Sequence, residues 1–141
     1  MELKKILDVR RSTRKFLDRK VEQEKLQRIA DMALTAPSSR NSRSTRLMIV
    51  DKKEDLEHIS TMRDYGAAFV KNAAAAILVM GDKSKSDLWL DNCVITATIL
   101  QLAVVDEGPY TSSMTLAACT IDSNTHIDLT GFYAHNLAKM F

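Results

Sequence analysis

From Asp87 to about Asp106 the residues Leu88, Trp89, Leu90, Cys93, Val94, Ile95, Ala97, Ile99, Leu100, Leu102, Ala103, Val104 and Val105 follow one another so densely that, wound at helical spacing, they surround the axis almost completely. A helix of this kind has to be covered from both directions. Asp91, Asn92, Thr96, Thr98 and Gln101 interrupt the run, so the stretch reads as a central core helix and not as a membrane span. A chain of 141 residues has little material to cover such a helix on every side, and a second copy of the chain is the natural supplier of the rest.

The flanking patterns predict what packs on it. Glu2 to Val9 reads as a short amphipathic helix with Leu3, Ile6 and Leu7 on one side. From Glu22 to Ala36, Leu26, Ile29, Ala30, Ala33 and Leu34 recur three and four apart, with Glu22 and Glu24 in the first turn where they complement the helix dipole. Pro37 must end that helix, because it cannot continue the ladder and disfavours the helical region at Ala36. Leu47 to Val50 is an apolar run of strand length, followed by an amphipathic helix with Leu56, Ile59 and Met62 aligned and His58 on its solvated side. A second strand is expected from Ala75 to Met80, closed by Gly81-Asp82.

With nearly half its residues apolar and only four Gly and two Pro, the chain is expected to form one globular domain over residues 1–141. The N-terminus alternates charge with apolar residues, and no apolar run reaches bilayer length, which points to a soluble cytoplasmic protein without a membrane partner. Cys93 and Cys119 are too far apart for a Cys-x-x-Cys motif and read as core thiols. The net charge of +2 is unevenly spread: residues 1–50 carry thirteen Lys/Arg against six Asp/Glu, and residues 51–141 seven against twelve. The basic half should face an anion, either a small phosphorylated ligand or a polyanion.

Much of that charge sits in Arg10-Arg11-Ser12-Thr13-Arg14-Lys15-Phe16, between the first two helical patterns. Arginine presents a planar fork of donors that matches phosphate oxygens, and clustered cations without acidic neighbours repel one another until an anion binds. One reading is a phosphate pocket in which Arg10, Ser12 and Arg14 converge while Thr13 and Phe16 face the interior; the other is a solvated basic loop. A second donor-rich stretch, Ser38 to Arg46, contains no apolar side chain.

These features resemble the nitroreductase family of flavin enzymes. Members open with a helix leading into Arg-Arg-Ser-x-Arg-x-Phe, matched here by Arg10, Arg11, Ser12, Arg14 and Phe16. They continue with a helix ending in Ala-Pro-Ser and an Asn-Ser loop, matched by Ala36, Pro37, Ser38, Asn41 and Ser42, then a long dimer helix, matched near Trp89 and Asp91. The resemblance, over about residues 1–108, implies an α+β fold with a small central sheet flanked by helices, built as a homodimer with FMN at the subunit interface. It implies that Arg10, Ser12 and Arg14 hold the flavin phosphate, with Arg11 near the ring or the phosphate. Pro37, Ser38, Ser39 and Asn41 would then approach the flavin of the opposite subunit. NAD(P)H would be the reductant and a nitroaromatic, quinone or similar small molecule the electron acceptor. Because the flavin carries the chemistry, no catalytic side chain and no metal is expected.

Two stretches differ from the family pattern. Arg43-Ser44-Thr45 stands where members commonly have Gln-Pro-Trp, and Pro109 to Phe141, rich in Thr, Ser, Ala, Asn and His, matches none of the usual continuation. A shortened variant, a replaced terminus or an altered reading frame would each produce such a tail. In it, 114–121 could be a strand and 132–141 a helix, while His126 and His135 lack a familiar metal-ligand spacing. The tail motivates an alternative, a flavin-binding protein with reduced turnover. Nucleic-acid binding through the basic half is a third reading, disfavoured because no surface aromatics interleave the cations.

Overall fold

A computed structural model describes residues 1–61 and 65–108, together with the backbone of residues 114–118. Met62, Cys119, His126, His135 and the helix expected over 132–141 lie outside the described residues. The described elements are α1 (Leu3–Val9), α2 (Gln23–Ala33), a 3₁₀ turn at Ser39–Asn41, β1 (Thr45–Val50), α3 (Lys53–Ser60), a second 3₁₀ turn at Ala68–Asn72, β2 (Ala75–Gly81), α4 (Trp89–Asp106) and β3 (Met114–Ala118).

The strands form one sheet in the order β1-β2-β3. β1 runs antiparallel to β2, with Thr45 opposite Gly81 and Val50 opposite Ala76, and β2 runs parallel to β3, with Ala75 opposite Met114. Parallel neighbours need a long crossover, and α4 is that crossover. β1 starts two residues earlier than the apolar run suggested, because Thr45 and Arg46 still find ladder partners in Gly81 and Met80.

β2 is the centre of the molecule. Its side chains alternate between two apolar layers, as the two-residue period of a strand requires. Ala75, Ile77 and Val79 pack with Leu26, Ile29 and Ala33 of α2 and with Cys93, Ala97, Leu100 and Ala103 of α4. Ala76 and Leu78 pack on the other face with Val50, with Leu56 and Ile59 of α3, and with Val70. Helices on both faces of a small sheet are the α+β arrangement expected, and burying each Leu or Ile in such a layer contributes about 1.5–3 kcal/mol.

Several boundaries and faces differ in detail. The regular part of α2 ends at Ala33, three residues before the limit set by Pro37; Thr35 and Ala36 are held in turns by Met32 and Ala33, and Leu34 is exposed. In α1 only Ile6 is buried, while Leu3 and Leu7 remain open. His58 is exposed, as its place on the polar face of α3 predicts. α4 ends where Gly108 takes φ +102, a conformation open to glycine at a helix C-terminus. There Arg28 of α2 makes a two-pronged ion pair with Glu107, both contacts at 2.9 Å, and this bond holds the Glu107 carboxyl below its ordinary range.

By length and composition alone α4 could reach across a bilayer, contrary to the reading of this stretch as too short and too interrupted. In the fold it is a core helix on one side only. Asn92, Cys93, Thr96, Ala97, Leu100 and Ala103 are buried, while Leu90, Val94 and Ile95 are exposed by 46%, 44% and 39%. Among the described residues, one face of α4 is therefore covered and an apolar face is bare.

Candidate functional site

The arginine packet begins where α1 stops. Arg10 is the C-terminal cap, its N–H bonded to the carbonyl of Ile6 at 3.0 Å, and cations are favoured at this negative end of a helix. Arg11 folds back, one amino group donating to the carbonyls of Asp8 at 2.9 Å and Arg10 at 2.8 Å, so part of its fork caps the helix. Arg14 reaches over the ring of Phe69, 5.8 Å from its centroid, and Phe16 packs against the same ring at 6.1 Å. Thr13, expected to face the interior beside Phe16, is exposed: Phe69 offers the packet one apolar support, and Phe16 takes it. Among the described residues Arg10, Arg11, Arg14 and Lys15 make no ion pair. Exposed forks and a free-standing Ser12 hydroxyl, without a carboxylate to neutralise them, are a donor set suited to a phosphate group.

The Ser38–Arg43 loop is built differently. Arg40, Asn41 and Arg43 all take positive φ, at 51°, 52° and 48°. Asparagine tolerates this region, but for other side chains it costs about 1–2 kcal/mol per residue. Local bonds close the turn: Asn41 N–H to the Ser38 carbonyl at 2.9 Å, Ser42 N–H to the Ser39 carbonyl at 3.0 Å, and Arg43 N–H to the Ser38 hydroxyl at 3.0 Å.

What fastens the loop to the body is Asn92, only 1% exposed in α4. Its Oδ1 accepts the Ser39 N–H at 2.9 Å, and its Nδ2 faces the hydroxyls of Ser44 at 2.9 Å and of Ser39 and Ser42 at 3.2 Å. The Ser39 hydroxyl also meets that of Ser86 at 3.0 Å, which joins the loop to the turn after β2. That turn is ordered by Asp82, which accepts from both the N–H and the hydroxyl of Ser84 and is thereby held below the usual carboxylate range. Beneath it Trp89 and Cys93 lie so close to Gly81 that a Cβ there would sit 2.4 Å from the indole and 2.9 Å from the sulfur. Burial pushes the Cys93 thiol up, so it stays protonated as a core group.

A profile of the Nitroreductase family matches residues 7–124. The chain belongs to the nitroreductase family. A curated relative from Methanothermobacter thermautotrophicus, provisionally named NADH dehydrogenase/NAD(P)H nitroreductase, is 35% identical over 111 residues, 77% of this chain and 58% of the relative. Among solved structures, an FMN-dependent nitroreductase from Clostridium difficile R20291 is 42% identical with a TM-score of 0.69, over 72% of this chain and 59% of that one. A provisionally named nitroreductase from Exiguobacterium sibiricum 255-15, solved with FMN, has a TM-score of 0.69 over 77% of this chain and 71% of that one; at 19% identity it speaks for the fold alone. The chain thus spans less than two thirds of the length of the first two. The family match runs past Gly108, where the motif resemblance stopped, and takes in β3.

The nitroreductase motifs occupy two separate places in the single chain. Arg11, Ser12 and Arg14 are exposed and Arg10 half-buried on one segment; Pro37 and Asn41 are exposed on the other, where Ser38 and Ser39 are half-buried and bonded inward. Among the described residues no hydrogen bond or ion pair joins the two groups. Sequence reasoning missed Asn92 and Phe69. Asn92 stood out only as a polar residue inside an apolar helix, and a loop with four serines and no visible partner was the matching signal.

Proposed function

We propose that this nitroreductase-family chain binds FMN and uses NAD(P)H to reduce nitroaromatic, quinone or related acceptors. Arg10, Ser12 and Arg14 grip the phosphate, and Arg11, with one amino group committed to capping α1, lies toward the ring or the phosphate. The bare face of α4 meets a second copy, and Pro37, Ser38, Ser39 and Asn41 of each chain border the flavin of the other. FMN, when bound, supplies the electron-transfer chemistry. The chain's own part is to hold the phosphate, orient the ring and limit water around it. A cytoplasmic location fits the reductant, and residues 1–141 act as one domain.

The observation that carries this reading is the packet itself: exposed Arg11, Ser12 and Arg14 beside half-buried Arg10, without an acidic partner among the described residues. The FMN-dependent relative from C. difficile adds support. The test is an anaerobic titration of the FMN-loaded protein with NADH and, separately, NADPH, followed by visible absorbance. Loss of the oxidised flavin bands with either nucleotide, and their return on adding a quinone, is the expected result. Flavin that binds but is not bleached would favour the reduced-turnover alternative, and absence of FMN binding would overturn both.

A further inference from the structure

We propose that Asn92 is a positioning residue: from inside α4 its carboxamide locks the Ser38–Arg43 loop in its left-handed shape and so sets the ring side of the flavin site. The loop's own bonds run between Ser38, Ser39, Asn41, Ser42 and Arg43, and they close the turn without attaching it to anything. The orientation of Asn92 is not open to choice. A backbone N–H can only donate, so the Ser39 N–H at 2.9 Å requires the Oδ1 side of the carboxamide, which turns Nδ2 toward three serine hydroxyls. Nδ2 has two hydrogens for those three acceptors, so Ser44 at 2.9 Å holds one and Ser39 and Ser42, both at 3.2 Å, share the other.

One buried side chain therefore restrains both ends of a segment whose middle carries three non-glycine residues at positive φ. An apolar residue at this position would strip the partner from the Ser39 N–H and from Ser44, itself fully buried. Asn92 also lies within one turn of Val94 and Ile95 on the bare face of α4. The helix face assigned to the second subunit and the loop assigned to that subunit's flavin are thus built on the same short stretch. This last step rests on the FMN reading; the clamp on the loop does not.

The Asn92→Leu variant of the 141-residue chain, similar in volume and without hydrogen-bonding groups, tests the proposal through two readouts. Arg40 and Arg43 are exposed in the loop and give trypsin two sites there. Cleavage after them tracks the open population of the loop and should rise about tenfold or more over wild type, at unchanged helical circular dichroism. FMN and riboflavin should both weaken, by the same factor of about tenfold, because the loss is on the ring side and not at the phosphate. If Asn92→Leu does not fold, the double variant Ser42→Ala with Ser44→Ala removes two acceptors from the loop and leaves α4 intact; it should raise cleavage at the same two bonds. Wild-type cleavage rates in whichever variant folds would overturn the clamp. A larger loss for FMN than for riboflavin would overturn its assignment to the ring side. Should wild-type protein bind neither flavin, the FMN reading fails while proteolysis still decides the role of Asn92.

Discussion

The arginine packet and the serine loop are the two halves of the candidate site, and they are held in opposite ways. The packet crosses the surface without regular structure; beyond the bonds of Arg10 and Arg11 at the end of α1, its bracing among the described residues is one aromatic ring, Phe69, shared by Arg14 and Phe16. The loop holds three residues at positive φ and is tied down by a buried carboxamide, four serine hydroxyls and the turn that follows β2. The tasks proposed for them would explain the difference. A phosphate is a strong, symmetrical anion that organises arginine forks around itself, so the packet needs little advance order. A flavin ring offers weaker and more directional contacts, so whatever borders it has to be in place beforehand.

The contrast can be broken first at the element both halves would share. Ile95→Glu puts a charge on the bare face of α4 and should convert a dimer to monomers that hold no flavin, read on a sizing column with absorbance detection. Flavin-loaded monomers would refute a site shared between two chains. Arg14→Ala touches the packet alone. It removes a charge-assisted contact worth roughly 1.5–3 kcal/mol, so FMN should weaken about tenfold to a hundredfold, riboflavin should be unaffected, and the unliganded melting temperature should stay put.

Gly81→Val touches only the footing of the loop, where an added Cβ collides with Trp89 and Cys93. Overpacking of this kind costs typically 1–3 kcal/mol, which should lower the melting temperature and weaken FMN and riboflavin alike. The smallest effect is expected from Phe69→Leu, which keeps an apolar surface under Phe16 but takes the ring from Arg14. A cation–π contact at an exposed site is worth about 0.5–1 kcal/mol, so FMN should weaken only about two- to fivefold. A loss as large as that of Arg14→Ala would mean that Phe69 organises the packet far more than its geometry indicates.

The same contrast governs what could be read from the sequence. α2 declared itself because Leu26, Ile29, Ala30 and Ala33 repeat at helical spacing and the fold buries all four. β2 declared itself as a continuous apolar run, which is what a strand covered on both faces must be. The packet was legible for a similar reason, since its chemistry lies in its own consecutive residues. Asn92 was not, because its meaning depends on serines some fifty positions earlier that only the pairing of β1 with β2 brings near. Phe69 was hidden in the same way, an ordinary apolar residue until the chain folds it beneath Arg14. The helix of residues 87–106 was legible as an element and as one that a chain of this length would not cover on every side; which face the described residues leave bare was not legible, since composition records how apolar its faces are and not which of them will be covered.

The most direct test is the affinity of the wild-type protein for FMN set beside its affinity for riboflavin, measured by flavin fluorescence in one buffer, with inorganic phosphate added as a competitor. If the packet grips a phosphate, FMN binds at least about tenfold more tightly than riboflavin, and phosphate weakens FMN alone. Equal affinities that are both indifferent to phosphate would contradict the assignment of Arg10, Ser12 and Arg14.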